Sequence, residues 1–459
     1  MIGLIYNIEA LTIDEIVKAT CGTLIRGERT DIVKGISIDS RTLESDTLFI
    51  PIKGENFDGH TFIKDVCKTC LGYLTEQDDE LDDGFCIKVE STKKALLDLA
   101  SYYRSKFQVT VVGVTGSVGK TTTKEFIYSV LSEYGLTLKT EGNFNNEIGL
   151  PLTLFGLKSA HKLAVIEMGM SNFGEIERLS KCAKPDIAVI TNIGTSHIEY
   201  LGSQEGILKA KLEILKGLKP GGKLIVNGDD EYLSNEEVLY DRITVGINSG
   251  KNNIVAKDVK PDDEGITFRV DNEEYRINII GVHNVYNALV GIAVGRCIGI
   301  DDHTIKKGLE KFRSDGIRQN ILKLKKCTII NDCYNASPQS VCAALEVLKS
   351  ISKENRKIAV LGDMKELGEK SANYHFEVGA YASQKKTADV LVLIGEHSQH
   401  IADGAISYGL SSENVHIFKT NDEIIEFLKS FMEFGDNLLV KGSRAMKLEV
   451  VAEELKKYS

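Results

Sequence analysis

Residues 109–134 read VTVVGVTGSVGKTTTKEFIYSVLSEY, and this succession of strand, glycine loop and helix admits few architectures. The β-branched run Val109–Val114 predicts a buried strand. A loop of small residues follows, Thr115–Gly119. Lys120 and Thr121 then open a helix whose apolar stripe is Phe126, Ile127, Val130, Leu131 and Tyr134, with Gly135 just beyond it. Backbone N–H groups of a glycine-rich turn and of a helix N-terminus converge on one spot, which suits a polyphosphate. The candidate nucleotide contacts are therefore Gly116, Ser117, Gly119, Lys120, Thr121 and Thr122. Lys120 supplies a point charge for the β- and γ-phosphates, and the Thr121 hydroxyl suits Mg²⁺. The strict phosphate-loop pattern asks for glycine at 114, where this chain has valine; its glycines sit at 113, 116 and 119. The segment predicts binding of a nucleoside triphosphate.

A chain of 459 residues is too long for one core and accommodates about three domains of ordinary size. A hydrophobic share of 42% and a charged share of 27% are those of a soluble globular protein. The opening stretch MIGLIYNIEALTIDEI has neither a basic region nor a continuous apolar core, so no secretory signal is expected. No run of about 18 or more apolar residues occurs, so no membrane insertion is expected. A net charge of −10 argues against a nucleic-acid partner, which needs a basic face. Nine scattered cysteines predict reduced thiols and a cytoplasmic location. Cys67 and Cys70 have CxxC spacing, but no second pair or histidine lies near, so they read as two small hydrophobes on one helix face.

The first hundred residues alternate short strands and helices, and GISIDSRTLESDTLFIPIKGENFDGHTFIKDV gathers polar groups in turns. A helix over about 93–107 leads out of this region. From Val109 strand–helix units repeat, which predicts a mostly parallel sheet with strands Val109–Val114, Leu163–Glu167, Ile187–Asn192 and Lys223–Asn227. Ligands of such sheets gather at the carboxyl ends of the strands. The phosphate loop, Glu167 and His197 all stand at such ends. Residues 242–280 change to period-2 patterning and predict an antiparallel addition. After GIRQN, the strands in KCTIIND, KIAVLGD, DVLVLIGE and NLLVKG each lead towards a helix, the first opened by Ser337 as cap and Pro338 at its first position. This is a second doubly wound domain without a phosphate loop of its own.

Read from residue chemistry alone, Glu167 is a helix cap, a surface charge or a second metal ligand beside the phosphate loop. His197 reads as a structural or surface histidine rather than a ligand, since Mg²⁺ prefers oxygen. In GILKAKLEIL, Lys209 and Lys211 are two apart on a helix, so at most one faces a site.

The strings GVTGSVGKTTTKE, EGNFNNEIGLP, VIEMGM, NIGTSHIEYLGS, KAKLEI, GVHNVYNAL, GIRQN, NDCYNASPQS and LVKGSR resemble, in order and spacing and over essentially the whole chain, the Mur ligases. These are ATP-dependent amide-forming enzymes of cell-wall precursor synthesis. The family's phosphate loop places its glycines as here. NDCYNASPQS and GDMKELGEKSANYHFEVG resemble the member that adds D-alanyl-D-alanine to UDP-N-acetylmuramoyl-tripeptide. The D-N-P-R signature of the member adding the third amino acid is absent, and the corresponding region reads GDMKEL. The family's Gly-Arg pair is Gly316-Ile317-Arg318 here, and Cys333 stands where relatives have serine.

The resemblance implies an α/β fold of three domains. These are a UDP-sugar-peptide domain over 1–106, a central phosphate-loop ATP domain with a parallel sheet over 107–316, and a Rossmann-like domain over 317–459. It implies ATP and two Mg²⁺ ions, with Lys120 and Thr121 on phosphate and metal, Glu167 and His197 as ligands of the second ion, and Lys211 as a CO₂-derived carbamate. Lys120, Lys211, His197 and Glu167 are thus the implied catalytic set. Asn284 and Asn287 resemble adenine contacts, and Arg318 and Asp332 reach ATP from the third domain. Ser40 and Arg41 stand where the family grips the UDP-sugar, and Asn143, Asn145 and Asn146 line the groove near the reacting carboxylate. The implied enzyme is a cytoplasmic monomer of peptidoglycan synthesis, needed for cell shape and division. Its rivals are the preceding ligase of the pathway, a folylpolyglutamate-type ligase, and a GTPase switch, whose N-K-x-D string does not occur here.

Overall fold

The computed structural model describes residues 5–458 except 55–56, 79–80, 82, 237–238, 248–249, 314–317 and 352–353. Its secondary structure is mixed α/β in three sheets. The expected domain boundary at 316/317 lies outside the described residues. By compactness the chain divides into two units, Met1–Thr115 with Tyr134–Val189 and Lys211–Leu224, and Gly116–Glu133 with Ile190–Ala210 and Ile225–Ser459.

The first sheet is built from β1 (Tyr6–Thr12), β2 (Thr23–Arg26), β3 (Ile32–Ser37), β4 (Thr47–Phe49), β5 (Gly72–Thr75) and β6 (Phe85–Lys88), in the order β1-β3-β4-β5-β6-β2. Its middle strands β3 to β6 are parallel, and β1 and β2 pair antiparallel at the edges. Phe49, Tyr73 and Cys86 from the strands close on Ile63, Val66, Cys67 and Cys70. The helix expected to carry both cysteines ends at Val66, with Cys67 as its C-cap. The two thiols are core hydrophobes, as expected, but they do not share a helix face.

The second sheet comprises β7 (Thr110–Thr115), β8 (Thr137–Lys139), β9 (Leu163–Glu167), β10 (Ile187–Ile190), β11 (Lys223–Asn227), β12 (Asp241–Ile247), β13 (Ile254–Pro261), β14 (Ile266–Val270) and β15 (Glu273–Ile277). Their order is β15-β14-β13-β12-β11-β10-β7-β9-β8. In β9 every side chain is buried, and in β7 all but the first, the sign of a parallel sheet covered on both faces. β7 and β9 run parallel with Val114 opposite Glu167, so their carboxyl ends are level. β10 stops at Ile190, two residues short of the expected end, because Thr191 and Asn192 turn their side chains to the Val118 carbonyl instead. The helix after β7 ends at Ser132, so Tyr134 falls beyond its last turn and is 53% exposed while Phe126, Ile127, Val130 and Leu131 are buried. β13, β14 and β15 form the expected antiparallel addition. β12, however, pairs parallel with β13. Asn253 Oδ1 accepts from the Thr244 amide and hydroxyl at 2.8 and 3.0 Å, which ties the residue before β13 to β12.

The third sheet has β16 (Asn320–Lys323), β17 (Thr328–Asn331), β18 (Lys357–Gly362), β19 (Val390–Ile394), β20 (Val415–Phe418) and β21 (Asn437–Lys441), ordered β16-β17-β21-β18-β19-β20. All but the antiparallel edge strand β16 are parallel. Helix Pro338–Ser350 begins as expected, with Ser337 as N-cap.

Candidate active site

The loop after β7 is shaped by two glycines. Gly116 has φ +150°, and a Cβ there would lie 1.9 Å from Thr191 Oγ1, so no side chain fits. Gly119, at φ +85°, is the N-cap of helix Lys120–Ser132. The Ser117 N–H donates to the Asn192 carbonyl at 3.1 Å, and the Val118 N–H to Asn192 Oδ1 at 2.9 Å. Two loop amides are thus engaged by Asn192, and the donors left to face an anion are those of the helix's first turn, which have no intrahelical acceptor and lie at the positive end of the dipole. Lys120 Nζ folds back to donate to the Gly116 carbonyl at 2.8 Å. Thr121 is buried and Thr122 half-buried beside it.

The candidate adenine contacts form one buried chain with this helix. Thr123 Oγ1 donates to Asn287 Oδ1 at 2.8 Å, Asn287 Nδ2 to Asn284 Oδ1 at 3.0 Å, and Asn284 Nδ2 to Gln319 Oε1 at 3.1 Å. A cleft lined by Thr121, Thr122, Glu125, Phe312, Arg318 and Gln319 lies at the same place. The Arg318 guanidinium stacks over Tyr334 with its carbon 4.4 Å from the ring centre. Asp332 accepts from Lys441 Nζ at 2.6 Å and from the Gln319 N–H at 3.4 Å. The structure thus joins the first-turn threonines, Asn284, Asn287, Arg318 and Asp332 around Gln319.

In the other unit, Glu167 ends β9 with its side chain buried. One carboxylate oxygen, Oε1, accepts from Asn145 Nδ2 at 2.8 Å, while Oε2 is buried without a hydrogen-bond partner. The reading of Glu167 as a helix cap or surface charge is thereby excluded. Asn145 is positioned in turn, since its N–H donates to the Asn143 carbonyl and its own carbonyl accepts from the Gly169 N–H, both at 2.8 Å. Asn146 Oδ1 accepts from the Gly149 and Ile148 N–H groups at 2.8 and 3.1 Å at the start of helix Gly149–Phe155. Of the two lysines on helix Gln204–Leu212, Lys211 is 2% exposed and Lys209 is on the solvent side. Ser40 and Arg41 follow β3 in a turn. Arg41 is gripped by Asp39 through two side-chain bonds of 2.8 and 2.6 Å, and these hold the Asp39 carboxyl down to about 2.

His197 is the N-cap of a short helix, Ile198–Leu201, in the left-handed region at φ +63°. Its Nδ1 lies 2.5 Å from Glu366 Oε2, an ion-pair distance without hydrogen-bond alignment. Among the described residues no three His, Cys, Asp or Glu side chains cluster as a metal site. The residues that sequence reasoning missed are those behind the motifs: Asn192, Gln319, Glu366, Asp39 and Lys441. All five stand inside the strings of the sequence analysis, but only the fold gives them partners.

Three descriptions of known families match the chain: the Mur ligase middle domain over residues 114–295, the Mur ligase glutamate ligase domain over 317–444, and the Mur ligase family catalytic domain over 32–71. The UDP-N-acetylmuramoyl-tripeptide–D-alanyl-D-alanine ligase of Bacillus subtilis is 40% identical over 97% of this chain and 98% of its own length. A crystal structure of MurF from Acinetobacter baumannii superposes with a TM-score of 0.90 at 30% identity, covering 98% of this chain and 100% of that one. The MurF ligase of Thermotoga maritima, solved in complex with ADP, gives 0.83 at 29% identity over 92% and 97%. With its phosphate loop, its three sheets and relatives alike over almost their whole length, the chain belongs to the Mur ligase family.

Proposed function

We propose that the chain is an ATP-dependent ligase that joins D-alanyl-D-alanine to UDP-N-acetylmuramoyl-tripeptide in cytoplasmic peptidoglycan precursor synthesis. It would act as a monomer whose three domains divide at 106/107 and 316/317. One observation carries the reading: the loop after β10 binds the phosphate loop at Ser117 and holds His197 against Glu366 of the GDMKELGEK segment. The nucleotide site and the segment resembling the dipeptide-adding member therefore meet in one unit.

An amide does not form readily from a carboxylate and an amine in water, so the carboxylate first needs a leaving group. The tripeptide's terminal carboxylate attacks the γ-phosphorus of ATP, giving an acyl phosphate and ADP. The dipeptide amine then attacks that carbonyl, and phosphate departs. Lys120 and the first-turn amides stabilise charge on the transferred phosphoryl group. Arg318 and Asp332 hold the nucleotide from the third sheet, Asp332 being fixed by Lys441. Asn284 and Asn287 frame the adenine, Ser40 and Arg41 grip the UDP-sugar, and Asn143 and Asn145 border the reacting carboxylate. Burying a carboxylate oxygen without a partner is costly, and the lone Glu167 Oε2 suits a cation. Thr121, Glu167, His197 and a carbamylated Lys211 are the proposed holders of two Mg²⁺ ions, which when bound supply further charge neutralisation on the phosphates.

The test is ATP-dependent phosphate release from UDP-tripeptide with and without D-alanyl-D-alanine. Dipeptide-dependent release and a ligated product are expected, with free D-alanine, lysine and diaminopimelate poor acceptors, because a site built for a dipeptide leaves polar groups unpaired around a single residue. Comparable kcat/KM for a diamino acid joined to UDP-dipeptide would assign the chain to the preceding step. Ligation of glutamate to a folate would assign it to the folylpolyglutamate type.

A further inference from the structure

Gln339 belongs to the quoted string NDCYNASPQS, yet neither the nucleotide nor the acceptor reading gives it a task. It stands in the first turn of helix Pro338–Ser350 and is exposed. Its Oε1 nevertheless accepts from both the hydroxyl and the amide of Thr195, at 3.0 and 3.3 Å. Thr195 is buried at 2% exposure, so its two donors have to be met within the protein.

The next residue back, Gly194, lies between the two sides. Its N–H donates to Ser117 Oγ of the phosphate loop at 2.9 Å. A Cβ there would lie 3.1 Å from both Gln339 Oε1 and Ser117 Cβ. Ser117 and Gln339 thus both crowd the face of this glycine that a side chain would occupy, and no side chain of residue 194 stands between the phosphate loop and the helix of the third sheet. An exposed glutamine adds little to a core, and a long flexible side chain held by two donors loses rotamer entropy.

We infer that Gln339 is a positioning residue that holds the third-sheet helix on the loop after β10, and so keeps the amine-delivering side registered with the phosphate loop while the acyl phosphate exists. The inference rests on the ligase reading above. When the register is lost, water takes the place of the amine. Its oxygen bonds to the acyl carbon, the bond from that carbon to the phosphate oxygen breaks, and carboxylate and inorganic phosphate are released with a proton. One ATP is then hydrolysed with no peptide bond formed.

The measurement is the ratio of phosphate released to peptide bond formed, alongside KM for ATP. In the unaltered protein a ratio of about 1 is expected, one phosphate leaving for each amide formed. Gln339→Ala is expected to raise it to about 3 or more with KM for ATP within about 2-fold, because water reaches an intermediate that closure otherwise shields. Gln339→Glu keeps an acceptor for both Thr195 donors and is expected to restore the ratio. Thr195→Val is expected to reproduce the alanine effect, and the double variant to be no worse than either single one. A ratio that stays at about 1 in Gln339→Ala, or additive effects of the two substitutions, overturns the inference. Absence of dipeptide-dependent phosphate release in the unaltered protein would instead remove the ligase reading itself.

Discussion

His197 and Glu366, 169 positions apart in the numbering, face each other with Nδ1 2.5 Å from Oε2, and both sit in the left-handed backbone region at φ +63°. Non-glycine residues held there cost on the order of 1–3 kcal/mol each and persist where the surroundings over-determine them. The Glu199 N–H donates to the Glu366 carbonyl at 3.3 Å, which ties the two segments by backbone as well. The imidazole in turn holds the Glu366 carboxyl below its usual range. A carboxylate against one ring nitrogen orients the imidazole and leaves the other nitrogen for a cation. Glu366→Gln keeps the shape and removes the charge. It is expected to weaken Mn²⁺ binding, read by electron paramagnetic resonance as a stand-in for Mg²⁺, by about 10-fold or more. Unchanged Mn²⁺ affinity would mean that Glu366 does not orient His197.

Lys120→Ala should lower kcat by about 10²-fold or more, since it removes a charge preorganised for the phosphoryl group. Binding of the UDP-tripeptide, followed by calorimetry, should be nearly intact, because Ser40 and Arg41 belong to a different compact unit from the phosphate loop. Near-normal turnover would refute the phosphate-loop assignment.

What the sequence disclosed divides by range. The phosphate loop was legible because all its requirements are local: the glycines, Lys120 and the helix that follows lie within one short string. The choice of Lys211 over Lys209 was half legible, since helical geometry says that only one faces inwards and burial says which. Partners set by the sheet order were illegible. Asp332 meets Lys441 across 109 positions only because β17 and β21 are neighbours with Asn331 opposite Val440, and nothing in either string announces that pairing. Asn192 was passed over for the opposite reason. It read as the last residue of a strand, whereas its side chain is engaged by the Val118 amide and carbonyl.

His283 adjoins the adenine candidates at the start of helix His283–Ile298. Burial pushes its imidazole down from 6.5 to about 4, with Lys441 adding to the shift and Asp332 opposing it. The folded protein therefore keeps this ring neutral where the unfolded chain takes up a proton. Stability is then greatest above about pH 6.5 and falls as the pH drops towards about 4, by on the order of 1–3 kcal/mol from this group. Urea unfolding at pH 7 and pH 5 measures it. His283→Gln, which cannot titrate, should flatten the difference, and an equally steep loss in that variant would show that other groups cause it.

Lys211 is buried at 2% exposure, on the helix whose Lys209 faces solvent. A long cationic side chain is rarely buried so deeply unless it is paired or modified. Carbamylation by CO₂ replaces the ammonium by a carboxylate-like group, an oxygen ligand of the kind that Mg²⁺ prefers. Lys211→Ala should therefore abolish ligation, and millimolar formate or acetate should restore part of it by supplying the missing anion. Intact-mass analysis offers no substitute, because a carbamate is lost on acidification, whereas carbon-13 resonance under labelled bicarbonate preserves it. That spectrum should show a carbamate signal in the unaltered protein and in Lys209→Ala, and none in Lys211→Ala. Rescue confined to Lys209→Ala, or a signal that survives in Lys211→Ala, would move the modified lysine elsewhere.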